Sequence, residues 1–213
     1  MKKQQVAIIV IGIFALFAIF YFYNQEPEIE QHPTLSAAAK MPDYHLKNVA
    51  HYEEEERHEM SAFSLEKAIE SIWKLEKDVD DESFQKLEES ISRLEEVHRS
   101  IVKDSISSID LRSTFEYALN NLAHAELEIA EMYAETNQME KANIALRYAQ
   151  LHIKNAMLFH SPYWGSDSVQ LAIEKHVFEE MDSLLVNKAV SPVNFTMTVN
   201  KMIKEVDQII EKE

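Results

Sequence analysis

The chain has 213 residues, with 37 acidic and 21 basic side chains, a formal net charge of −16, two glycines and no cysteine. Glycine normally makes up roughly 7% of a chain, and hairpin turns, bulges and phosphate loops all use it, so all-β, Rossmann and P-loop architectures are disfavoured. The missing cysteine excludes disulfides, thiolate zinc sites, cysteine nucleophiles and c-type haem attachment, and so acidic a chain repels nucleic acid.

Val6 to Tyr23 is an uncharged apolar run of 18 residues, about the length of helix that crosses a bilayer. Phe20, Tyr21, Phe22 and Tyr23 end it with aromatics suited to the membrane interface. Lys2 and Lys3 precede the run, and Glu26, Glu28 and Glu30 follow it. The positive-inside bias therefore predicts residues 1–5 in the cytoplasm and everything after residue 23 across the membrane. A cleaved signal peptide would have a shorter apolar region, and the small-residue stretch Ser36–Ala39 lies well beyond the run. The expectation is thus an uncleaved single-pass anchor without a cytoplasmic domain. The Met-Lys-Lys start suits a bacterial inner membrane, which places the remainder in the periplasm or outside the cell. That remainder carries 19 basic and 37 acidic residues, a net −18.

Residues 24–42 hold Pro27, Pro33 and Pro42 and read as an extended linker. From residue 43 onward, apolar side chains recur at spacings of three and four, which predicts an all-α domain of about six antiparallel helices over residues 43–213. The first is expected from about Tyr44 to Lys77, packing through Leu65, Ala68, Ile69, Ile72, Trp73 and Leu75. Asp80 and Asp81 cap the second, whose stripe is Phe84, Leu87, Ile91, Leu94, His98 and Ile101. Asp110 is expected to cap the third, with Leu111, Phe115, Ala118, Leu122, Ala125, Ile129 and Tyr133 inward. The turn Asn137-Gln138 leads to the fourth, with Ala142, Leu146, Ala149, Ile153 and Ala156, ending near Ser161–Gly165. Asp167 with Gln170 forms a capping box for the fifth, which presents Val169, Ile173, Val177, Met181 and Leu184. Ser191-Pro192 opens the sixth, with Phe195, Val199, Met202, Val206 and Ile209.

Over residues 123–156, Ala130, Tyr133, Ala142, Leu146 and Ala149 fall on small and aromatic positions of a tetratricopeptide hairpin, and this stretch resembles one such repeat. Asn137 stands at the turn glycine and Glu126 at the position where that family prefers tryptophan. The resemblance implies a protein-binding scaffold rather than an enzyme; a plain helical bundle accounts for the same alanines.

His51 and His58 are seven apart, so a continuous helix would place them on one face with Glu54 and Glu55 between them, a set able to hold a divalent metal. His98, His160 and His176 lie at or beside inward positions, where they could ligate haem or a metal, or bond a neighbouring carboxylate. Asp78, Asp80, Asp81 and Glu82 lack the glycine and closing glutamate of a calcium loop and read as capping residues. Asn194-Phe195-Thr196 matches a glycosylation sequon placed in the first turn of a helix. No catalytic constellation is present and no cofactor is implied. Tyr163 and Trp164, in a loop with Pro162 and Gly165, are the candidate partner-binding anchors. The expected function is a non-catalytic scaffold or accessory subunit binding other membrane or extracytoplasmic proteins. The alternatives are a bundle holding metal or haem through histidines, and a membrane-tethered chaperone.

Overall fold

Seven α-helices and a leading 3-10 turn, with no strand, account for the described residues, which are 35–76, 79–160, 168–187 and 189–211 of a computed structural model. Ser36 caps the 3-10 turn Ala37–Lys40 by accepting from the Ala38 N–H. It runs straight into α1 (Met41–Glu54), whose first turn holds Pro42, so the helical domain begins a few residues ahead of its expected start. The single helix expected from Tyr44 to Lys77 is instead two, α1 and α2 (His58–Glu76). Glu56 takes a left-handed conformation with φ 57°, and the Arg57 N–H reaches back to the Tyr52 carbonyl at 2.8 Å, ending α1 as a Schellman turn. Four consecutive glutamates, Glu53 to Glu56, repel one another when wound into one turn, so the chain breaks where that repulsion is densest.

The Asp80 carboxylate accepts from the Glu82 and Ser83 N–H groups at 2.8 and 2.9 Å and opens α3 (Asp81–Val102) as expected. Ser107, rather than Asp110, caps α4 (Ser108–Glu135). Its hydroxyl accepts from the Asp110 N–H and donates to the Asp110 carboxylate, so Asp110 occupies the first turn. Asn137, with φ 60°, closes the turn into α5 (Met139–Phe159), and the Gln138 N–H bonds the Tyr133 carbonyl at 2.7 Å. Then follow α6 (Ser168–Val186) and α7 (Pro192–Ile210), the latter capped by Ser191.

Successive helices pack on one another through short connections, and α7 also returns against α4. Helices α4 to α7 thereby close a ring of four, while α1 to α3 cover the other side of α4. Two cores result. One gathers α1, α2, α3, the first half of α4 and the end of α5 (Ala156 and Phe159) around Leu65, Leu94 and Phe115. The other gathers α4 to α7 around Leu127, Leu146, Phe195 and Met202. Each fully buried leucine or phenylalanine contributes about 1.5–3 kcal/mol. The five residues carrying the repeat resemblance (Ala130, Tyr133, Ala142, Leu146 and Ala149) are all buried in the second core.

Some expected core positions face out. Trp73 is 53% exposed, because Ile72 and Leu75 take the inward face of α2 and Trp73 stands a full residue step, about 100°, away from Ile72. Phe84 and Val169 are exposed, and Val97 occupies the buried place expected for His98. No helix among the described residues is long and apolar enough to cross a membrane. The apolar run 6–23 lies outside those residues, as do Asp167 and the Tyr163-Trp164 pair.

Candidate functional site

The break after Glu54 puts His51 near the end of α1 and His58 at the start of α2, so the spacing of seven no longer describes one helix face. His51 lies 3.5 Å from Glu55, while His58 meets Glu53 at 3.2 Å and Asp104 at 3.3 Å. The His51–Glu55 pair is exposed and the His58–Glu53 pair half-buried, and the two are separate contacts.

The interior holds a different set of polar residues, because α4 is packed on several sides. Glu116, Asn120, Asn121, His124 and Glu126 are all buried on it, and His152 and Asn155 are buried on the facing α5. Among the described residues, three groups of histidine and carboxylate converge, each with ligand atoms within 4.8 Å of one another: Glu82–His124–Asp207 and His176–Glu180–Glu205, which reach the surface, and the buried Glu116–His160–Glu174.

A lysine stands inside each of the first two. Lys86 Nζ donates to Asp207 at 2.6 Å and to Glu82 at 2.8 Å, and lies 2.8 Å from His124 Nε2. Burial alone would raise the Asp207 carboxyl, but the His124 and Lys86 contacts outweigh it and hold that group at about 2. Lys201 Nζ likewise donates to Glu180 at 2.7 Å and lies 3.5 Å from Glu205 and 3.2 Å from His176 Nε2.

The third group joins α4, the end of α5 and α6. His160 Nδ1 is 2.9 Å from Glu116 Oε1, to which the Gln170 amide also donates at 2.9 Å. The Asn120 amide donates to Glu174 Oε1 at 3.1 Å. Glu174 Oε2, His160 Nε2 and Asn120 Oδ1 are buried without a hydrogen-bond partner. Burial, reinforced by the neighbouring Glu116 charge and opposed by Asn120, pushes the Glu174 carboxyl up to about 8. Burial raises Glu116 as well, against the pull of His160.

A fourth polar island sits where α1 meets α4 and α5. His152 Nδ1 lies 2.7 Å from Asp43 Oδ2, off the hydrogen-bond line, and the Asn155 amide donates to the other Asp43 oxygen. Nearby Glu126 is 2% exposed, and neither carboxyl oxygen has a partner. Burial, with a contribution from the Asp43 charge, drives its pKa well above the usual carboxylate range.

Of the histidines singled out from sequence, His160 and His176 join convergent groups and His98 does not. His124 and His152, both fully buried, escaped that reading. A signal was present on α4, where Leu119, Ala123, Leu127 and Ala134 lie off the predicted stripe and mark a helix with more than one buried face. No family model, curated protein or solved structure matches the chain.

Proposed function

We propose that the protein is a membrane-anchored, non-catalytic helical scaffold or accessory subunit that binds other proteins on the extracytoplasmic side of a membrane. The apolar run 6–23 with its flanking charges supports the anchor and its orientation. The observation that carries the binding role is the outer side of α2, where Phe63 and Trp73 are each 53% exposed and Met60 is also exposed. These side chains border an ionic rim in which Glu70 bonds both Lys67 and Lys74. Exposed aromatic side chains carry much of the binding energy where a partner covers them. The net −18 after residue 23 suits a partner with a basic face, whose association would weaken with salt.

Gentle detergent extraction from the native membrane, followed by mass spectrometry of what co-purifies, tests this reading. The expected result is a stoichiometric partner that F63S/W73A loses while keeping the wild-type thermal midpoint. A chain that emerges alone and monomeric defeats the proposal. Many unfolded clients in place of one partner would point to a tethered chaperone. Tyr163→Ala and Trp164→Ala, assayed the same way, ask whether that pair contributes a second anchor.

A further inference from the structure

Three histidine–carboxylate groups of similar make-up have different contents. In two, a lysine ammonium sits among the ligand atoms and pairs with both carboxylates: Lys86 for Glu82–His124–Asp207, and Lys201 for His176–Glu180–Glu205. In the third, no lysine or arginine among the described residues pairs with Glu116 or Glu174. That group is also deeply enclosed, with Glu174 fully buried and Glu116 and His160 nearly so.

We propose that Glu116, His160 and Glu174 form a binding site for a divalent transition-metal ion, with zinc the best-suited occupant. One imidazole and two carboxylates are ligands that zinc accepts, and three protein ligands leave a fourth position for water or a further oxygen. The three ligand atoms lie within 4.8 Å of one another and His160 Nδ1 is 2.9 Å from Glu116 Oε1, a range that brackets the roughly 3.3 Å between donors placed about 2.0–2.1 Å from a tetrahedral ion. Glu174 contributes a carboxylate oxygen to the convergent group, and its Oε2 is buried with no hydrogen-bond donor, an arrangement a cation relieves. Outer groups that orient metal-binding carboxylates are in place, Gln170 donating to Glu116 and Asn120 to Glu174. The ion would tie the end of α5 to α4 and α6, in the ring of four helices. This site is independent of the α2 face argued to bind partners.

The test uses the full-length protein in detergent, stripped with a chelator and titrated with Zn²⁺ against a chromophoric competitor, with the thermal midpoint followed in parallel. One equivalent of zinc should bind and raise the midpoint. His160→Gln and Glu174→Gln should each weaken binding at least about tenfold, since loss even of an outer partner costs about 10–100-fold. His176→Gln and the pair His51→Gln/His58→Gln should bind as the wild type does. Helix content by circular dichroism checks that each variant folds, and the wild-type titration stands whichever variant fails. Absence of a stoichiometric site in the wild type overturns the proposal. So does binding that H160Q and E174Q leave unaltered, or that H51Q/H58Q abolishes.

Discussion

Glu126 offers the sharpest test of the packing described above. Its carboxyl is 2% exposed, both oxygens lack partners, and burial followed by the Asp43 charge holds its pKa well above the ordinary range. A polar group buried without a hydrogen bond costs about 1–3 kcal/mol in proteins. Methionine has a similar length and volume and no polar hydrogen-bonding demand, so Glu126→Met should stabilise the fold by about 1–3 kcal/mol even at acid pH. The sign of the pH dependence follows from the raised pKa. The folded chain keeps this proton while the unfolded chain releases it near pH 4.5, so the carboxyl's contribution is intact below that point. It is lost as pH rises toward the folded pKa, by up to about 1.4 kcal/mol per pH unit. The advantage of E126M over wild type should therefore widen from pH 4 to pH 7. At roughly 2–4 °C per kcal/mol for a domain of this size, the gap in thermal midpoint should be a few degrees at pH 4 and clearly larger at pH 7. Paired thermal and urea unfolding across that range measures it. A variant that is less stable than wild type, or a gap that does not change with pH, refutes the argument.

Three further expectations can be checked by the same unfolding measurements. Asp207 is held at about 2, so its stabilising contribution is present above the ordinary carboxylate range and lost as pH falls through that value; Asp207→Asn should cost about 1–2 kcal/mol at pH 6 and almost nothing near pH 2. Glu56→Gly should stabilise the α1–α2 turn by about 0.5–1 kcal/mol, because the left-handed φ of 57° strains a residue with a Cβ but not glycine. Ala149→Leu should destabilise by about 1–3 kcal/mol through overpacking, since Ala149 is fully buried in the core that α5 shares with α4.

Much of the helical layout was legible in the residues alone. Every apolar position assigned to α5 and α7 is buried, as are all seven assigned to α4, because spacings of three and four map directly onto one side of a helix. Asp80, Asn137 and Ser191 mark the helix ends they were expected to mark, since caps and left-handed turns are set by neighbouring residues. The split between α1 and α2 was harder to read, as the polar stretch 51–59 has helical composition and only the crowding of four glutamates hints at a stop.

The candidate site was not legible, for a physical reason. Periodicity identifies the face of a helix that must be covered, but it does not count how many neighbours cover it. Glu116, Asn120, His124 and Glu126 lie off the main stripe of α4 and would be wet on a helix at the edge of a bundle. They are dry because neighbours cover α4 on several sides: α3 and α7 meet at His124, the end of α5 and α6 close over Glu116 and Asn120, and Glu126 lies where α1 and α5 approach. The same closure brings His160 to Glu116 across 44 residues and Gln170 to Glu116 across 54. Local sequence determined the helices and their caps. Tertiary packing decided which polar side chains left water, and so where this protein gathers its charge.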